Sequence, residues 1–372
     1  MSPSDSRNTL RSRLRYWNTN KGSAFLRTAE QLVTGESVSA QLNRPMALTP
    51  PTPRIDCIVS MQRNRPAEIV HYGSPDKAAY WLPESSAVEE TWSYSIRNAV
   101  VAPTPGAVWL PDGSIAIELS GGRDRIAGSQ DVRGLARSKT KEELNGTWAV
   151  MPSHTYYHFL LEDVPALLSS LHFSNENLES RASVLVAADA PPYVSDFVHT
   201  LGTPIHATMS KKVRLESLVA TGFASSGKVH PASISQIREH FGVIDNPGSD
   251  QIYVSRAGFR RSFPWEGDLI KVLTEALPRL RVIEGHQLTL NQQVDLFSRA
   301  ELVIGTHGAG LSNIVFSPSS ARVVEIGSSS NFGDHFWRLS SVRKQHYSLV
   351  WIKPELTSGA SISSVLDKVL KR

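Results

Sequence analysis

From about residue 145 onward the chain alternates short β-branched runs with amphipathic stretches, and this alternation restricts the fold more than any other feature. Strand character at Ser183–Ala187 gives way to helical spacing at Tyr193–Leu201, then a strand at Leu215–Thr221 and a helix at Ile234–Phe241. After the breaker Asp245-Asn246-Pro247-Gly248 the pattern resumes. It predicts strands at Ile252–Ser255, Arg281–Ile283, Leu302–Gly305, Val323–Ile326 and Tyr347–Ile352, separated by helices at Gly267–Leu277, Leu290–Arg299, Ala309–Phe316 and Gly333–Lys344. Thr289 and Gln292 have capping-box spacing at the start of the second of these helices. Parallel strands cannot be joined by a tight turn, so each crossover takes a helix and the expected result is an α/β parallel sheet wrapped by helices. Ligands of such sheets sit beyond the carboxyl ends of the strands.

A chain of 372 residues exceeds what one core usually organises, and the breaker is the expected domain boundary. The expected units are a polar, partly ordered extension over 1–90, an α/β domain over 91–247, a Rossmann-like domain over 248–352 and a C-terminal helix over 353–372. Between Asn98 and Leu119, Val108-Trp109-Leu110 and Ile115-Ala116-Ile117 flank Asp112-Gly113 and follow Pro105-Gly106, the signature of a β-hairpin. The Ser- and Arg-rich start, through the prolines at 50, 51 and 53, reads as a solvated tail or as a peripheral contact with an anionic membrane.

Cys57 is the single cysteine and cannot form an internal disulfide, as expected of a reduced, cytoplasmic protein. Apolar runs stop well short of the roughly 18 residues a membrane span needs. Arg7, Arg11, Arg13 and Arg15 lack the apolar stretch that would make a secretory signal. The net charge of +4 suits an anionic ligand, and the chain carries no recognisable nucleic-acid-binding module.

Three groups of residues carry candidate chemistry. His307-Gly308-Ala309-Gly310-Leu311-Ser312-Asn313 follows a predicted strand and opens a predicted helix. Glycines there let a ligand approach the backbone, and orphan amides favour an anion such as a diphosphate. Tyr253-Val254-Ser255-Arg256, followed by Arg260 and Arg261, brings guanidinium groups to a strand end, where they match phosphate oxygens. Around Ser153–Pro165 a helix places Tyr157, Leu160, Leu161 and Val164 on one side and His154, His158 and Glu162 on the other, with Asp163 about 100° away. Pro165 removes a hydrogen bond to the Leu161 carbonyl and should disturb the helix there.

Other motifs fail. Gly222–Lys228 fits a P-loop spacing, but Val229 stands where Ser or Thr would hold magnesium and Pro231 argues against the following helix. His-Glu-x-x-His, Asp-x-Asp and Gly-x-Ser-x-Gly are all absent, so no metal site and no hydrolase elbow is expected.

Taken in order, Tyr156-Tyr157-His158-Phe159-Leu160-Leu161-Glu162, Tyr253-Val254-Ser255-Arg256, Glu284, Gln292–Ser298, Gly305–Asn313 and Val324-Glu325-Ile326 resemble glycosyltransferase family 61 over residues 145–352. The resemblance implies a GT-B-like architecture, two Rossmann-like domains facing a cleft, and an inverting transfer from a nucleotide-sugar donor without a metal or other cofactor. It implies that Arg256, Arg260 and the amides of Gly308, Ala309 and Gly310 hold the diphosphate. His307 and Asn313 would shape that pocket, and Glu325, at a strand end, would receive the ribose hydroxyls. Glu162 is the expected base, with His158 as the alternative or as an orienting group, and Asp163 behind both. The acceptor would be a glycan or lipid-linked hydroxyl in capsular or other surface-polysaccharide synthesis. A non-catalytic nucleotide- or polysaccharide-binding protein is the competing reading.

Overall fold

The computed structural model describes residues 57–60, 68–71, 85–88, 93–111, 113, 116, 118–120, 135, 139–152, 155–222, 229–257, 259, 262–328 and 333–352. His154, Arg260, Arg261, the residues of the rejected P-loop spacing from 223 to 228 and the expected helix at 353–372 lie outside them. The strands are β1 (Cys57–Ser60), β2 (Glu68–His71), β3 (Ser85–Val88), β4 (Ser93–Ala102), β5 (Ala107–Trp109), β6 (Glu142–Val150), β7 (Ser183–Ala187), β8 (Ile205–Thr208), β9 (Val213–Thr221), β10 (Asp250–Val254), β11 (Leu280–Ile283), β12 (Ala300–Thr306), β13 (Arg322–Ser328) and β14 (His346–Ile352). The α-helices are α1 (Tyr156–His158), α2 (Val164–Asn177), α3 (Pro192–Val198), α4 (Pro231–His240), α5 (Glu266–Ala276), α6 (Leu290–Ser298) and α7 (His335–Arg343).

Two six-stranded sheets organise the fold. The first runs β5-β4-β9-β6-β7-β8, antiparallel from β5 through β4 to β9 and parallel from β9 to β8. The second runs β11-β10-β12-β13-β14-β2 and is parallel throughout. Its strands bury both faces: Ile252 and Val254 enter one core, while Tyr253 between them packs with Trp265 and Leu269 on the other side. Near-continuous apolar sequence is what such two-sided burial demands. The larger core also continues from Val184, Val186 and Phe197 of the first sheet's layer to Val303, Phe316 and Leu349 of the second.

The breaker is a bonded joint. The Asp245 carboxylate accepts from the Ser319 amide at 2.8 Å, Arg343 at 2.9 Å and Arg238 at 3.3 Å. Burial raises the Asp245 pKa, but the Ser319 bonds and the two guanidinium charges outweigh it and hold the carboxyl below the usual aspartate range. Arg238, at the end of α4, also donates to the Val315 and Phe316 carbonyls at 2.9 Å each, capping the turn that follows β12. Burial pushes its pKa down to about 10, with Arg343 adding to that effect and Asp245 opposing it.

Several expectations change. Pro231 opens α4 from its first turn, where a missing N–H costs nothing, so it starts a helix instead of preventing one. The segment Ala309–Val315 is a 3₁₀-helix, not an α-helix: Leu311, Phe316 and Ser317 donate to the carbonyls three residues back. β5 pairs antiparallel with β4 across the Pro105-Gly106 turn; of Ile115–Ile117 only Ala116 is described, and it is not in a strand. β2, within the stretch expected as an extension, pairs with β14. Among the described residues no helix is long and apolar enough to cross a membrane.

Candidate functional site

In the second sheet, β10 lies between β11 and β12, so the chain passes to one side after β10 and returns to the other at β12. Loops leaving the carboxyl ends of two such strands diverge and open a crevice, the usual ligand position in open parallel sheets. Arg256 follows β10 and His307-Gly308 follows β12, so both lie at this crevice. The Arg256 Nη1 donates to the His307 carbonyl. A Cβ on Gly308 would lie 2.6 Å from that Nη1 and 2.8 Å from Arg256 Cδ and Cζ, so any side chain there would displace the guanidinium. Gly310 is equally constrained, since its Cβ would lie 2.8 Å from Val254 Cγ1. The buried Glu266 at the start of α5 fixes the strand end, with Oε1 accepting from the Arg256 amide at 2.8 Å and from the Tyr253 hydroxyl at 3.2 Å.

His307 is oriented from behind. Its Nδ1 lies 2.5 Å from Oε1 of Glu325, whose Oε2 accepts from the Tyr347 hydroxyl at 2.5 Å. Glu325 is fully buried in the middle of β13, which continues to Ser328, so the expected strand-end position is corrected. The register explains the contact: Glu325 stands opposite Gly305, and His307 lies two residues beyond Gly305 on the same face. Tyr347 pairs with Val323, two residues before Glu325, and so shares that face too.

The third element is the segment from Thr155 to Val164. Pro165 supplies no N–H, and the turn before it widens into a π-helix over Phe159–Asp163, with the Val164 amide donating to the Phe159 carbonyl. The disturbance expected from Pro165 is therefore a widened turn. The His158 Nδ1 meets Glu162 Oε2 at 3.0 Å, the pairing that the four-residue spacing predicts. The expectation of one polar face fails, since Phe159 through Val164 are all buried. Asp163 lines a small cavity with Val101, Ser170 and Thr221, against β4 and β9.

These parts are joined directly. The Tyr156 hydroxyl donates to Asn313 Oδ1 at 2.7 Å, and Asn313 Nδ2 donates to Gln293 Oε1 at 2.7 Å and to the Gly310 carbonyl at 3.1 Å. Burial raises the pKa of Tyr156, against the pull of its Asn313 bond, so it remains a hydroxyl donor. Tyr157 is raised by burial and by the Glu162 charge, and its ring lies 5.3 Å from His335 and 6.0 Å from Phe336. Those two rings also face His307, at 6.2 and 5.3 Å. Contacts thus link His158 and Glu162, through the Tyr157 and His335 rings, to His307 and Glu325, and His307 through its carbonyl to Arg256 beside Gly308.

Residues 156–324 match the family model described as Glycosyltransferase 61. They belong to glycosyltransferase family 61. The matched glycosyltransferase segment opens on Tyr156 and closes one residue before Glu325, so it spans the π-turn, Arg256 and the glycine loop. A comparison with curated proteins finds no match. Among the described residues, no group of three or more His, Cys, Asp or Glu side chains is arranged to hold a metal ion. Sequence reasoning missed Tyr347, His335, Phe336, Gln293 and Glu266 as supports of the site. Gln293 was visible as part of a motif, but Tyr347 needed the strand register, and Glu266, His335 and Phe336 needed the packing of the helices that carry them.

Proposed function

We propose that this family 61 protein is an inverting glycosyltransferase of surface-polysaccharide assembly, acting on the cytoplasmic side, with peripheral membrane contact through its basic start. It transfers a sugar from a nucleotide-sugar donor to a hydroxyl of a glycan or lipid-linked acceptor. The supporting observation is the 2.7 Å bond from Tyr156 to Asn313, which couples the turn carrying His158 and Glu162 to the glycine loop beside Arg256. A base and an anion site held in fixed relation are what single-displacement transfer requires.

In this reading the acceptor oxygen attacks the anomeric carbon while its proton passes to the Glu162 carboxylate. The bond to the diphosphate oxygen breaks with its electron pair, and the leaving charge meets Arg256 and the amides of Gly308, Ala309 and Gly310. His158 holds Glu162 through Oε2, and Glu325 keeps the His307 ring in place at the pocket wall. Asp163 is the weaker base because its cavity lies on the side of β4 and β9. Release of nucleoside diphosphate from a panel of nucleotide sugars, measured with and without oligosaccharide acceptors, tests the activity. Donor binding without any release would identify a binding protein instead.

A further inference from the structure

Resting on the nucleotide-sugar reading, we propose that Phe259, His286 and Glu284 form the nucleoside subsite of the crevice, which fixes the donor's direction across the sheet. Among the described residues Phe259 is the large aromatic side chain that stays exposed, at 45%. It belongs to the same turn as Arg256, because its amide donates to the Arg256 carbonyl at 3.1 Å. Its ring stands 5.3 Å from that of His286 at 79°, edge to face, on the loop that follows β11. The Ser255 amide donates to the Ile283 carbonyl at 2.8 Å, which ties the end of β10 to the end of β11. An exposed aromatic face one turn from a phosphate-matching guanidinium supplies what a base needs for stacking.

Glu284 directly follows β11 and is partly exposed. The Gln287 side-chain Nε2 donates to its Oε2 at 3.0 Å, and His286 Nε2 lies 3.6 Å from the same oxygen. A carboxylate at the end of the strand beside the phosphate-bearing one is where open parallel sheets receive ribose hydroxyls. It takes the role first expected of Glu325, whose two oxygens are engaged by His307 and Tyr347. With the base over β11 and the diphosphate at Arg256, the sugar extends toward β13, where His307 leads through His335 and Tyr157 to His158 and Glu162.

The test is calorimetric titration of the parent, Phe259→Ala, Phe259→Trp, Glu284→Gln and Arg256→Ala with uridine, guanosine, adenosine and cytidine diphosphates, the 2′-deoxy form of the tightest, and inorganic pyrophosphate. Phe259→Ala is expected to weaken nucleoside-diphosphate binding about tenfold and leave pyrophosphate unchanged, as loss of a stacking face alone requires. Phe259→Trp should keep parental affinity, and Glu284→Gln should bind the ribo and deoxy forms equally. Parental nucleotide affinity and ribose discrimination in both Phe259→Ala and Glu284→Gln, with Arg256→Ala weakened toward both ligand types, overturn the subsite and leave the donor reading standing. Failure of every nucleoside diphosphate to bind the parent overturns the donor reading itself.

Discussion

Two histidine–carboxylate pairs are linked through the rings of Tyr157 and His335, and they are built differently. His158 and Glu162 belong to one widened helical turn, and the histidine side chain is 32% exposed. His307 and Glu325 come from neighbouring strands; the histidine is 12% exposed and the carboxylate not at all. Glu325 gives both oxygens to protein donors, because a carboxylate removed from water is costly unless its lone pairs are filled. The first pair has solvent access through its histidine and suits proton exchange. The second is locked by bonds that reach from the end of β12 through β13 to β14, and in the proposed transfer it would place a ring beside the diphosphate. Burial and second contacts, more than residue type, divide the roles.

That division breaks first, and most visibly, at Glu162. Glu162→Gln should bind nucleoside diphosphate normally and lose about 10² to 10⁴ in turnover, the usual contribution of a general base. His158→Ala takes that loss instead if the histidine is the base, so initial rates and donor affinities of both variants decide between them. Arg256→Ala should weaken nucleoside-diphosphate binding by roughly tenfold to a hundredfold, the worth of a charge-assisted contact. Gly308→Ala, which drives a methyl into the guanidinium, should show part of the same loss in the same titration. In the buried pair, Tyr347→Phe removes one donor from Glu325 and should cost about 1 to 3 kcal/mol in denaturant unfolding. A Tyr347→Phe variant as stable as the parent would deny Glu325 its locked state.

At the joint, Asp245 has its pKa lowered in the folded protein, so its contribution is present above the ordinary aspartate value and fades as pH falls through the folded one. Asp245→Asn should therefore be less stable at neutral pH by at most about 1 kcal/mol, since the side chain is partly exposed, and the gap should close in acid. Excess chelator should change none of the transfer rates, and complete loss that added metal restores would redefine the His158 and Glu162 pair as ligands.

The alternation of strand and helix was legible because two-sided burial leaves continuous apolar runs, and Ser183–Ala187 matches its predicted bounds. The Thr289–Gln292 capping box forms as its spacing requires. Arg256 and the glycine loop were visible as strand-end residues. Glu325 was misplaced because its neighbours look like an ordinary strand terminus, and only the pairing with β12 and β14 shows it enclosed. The 3₁₀ geometry at Ala309–Val315 was invisible for a similar reason: apolar periodicity in a seven-residue stretch does not separate the two helix types. Short strands such as the four-residue β8 gave too little period-two signal to read.

A core that passes without interruption from Phe197 to Leu349, with Arg238 capping a turn on the far side of the Asp245 joint, has a thermodynamic consequence. Unfolding either sheet exposes apolar surface that the other was covering, so the intermediate with one sheet melted carries a large free-energy penalty. The two halves should melt as one cooperative unit, with calorimetric and van't Hoff enthalpies in agreement. A nucleoside diphosphate that touches only the second sheet should then raise the melting temperature of both.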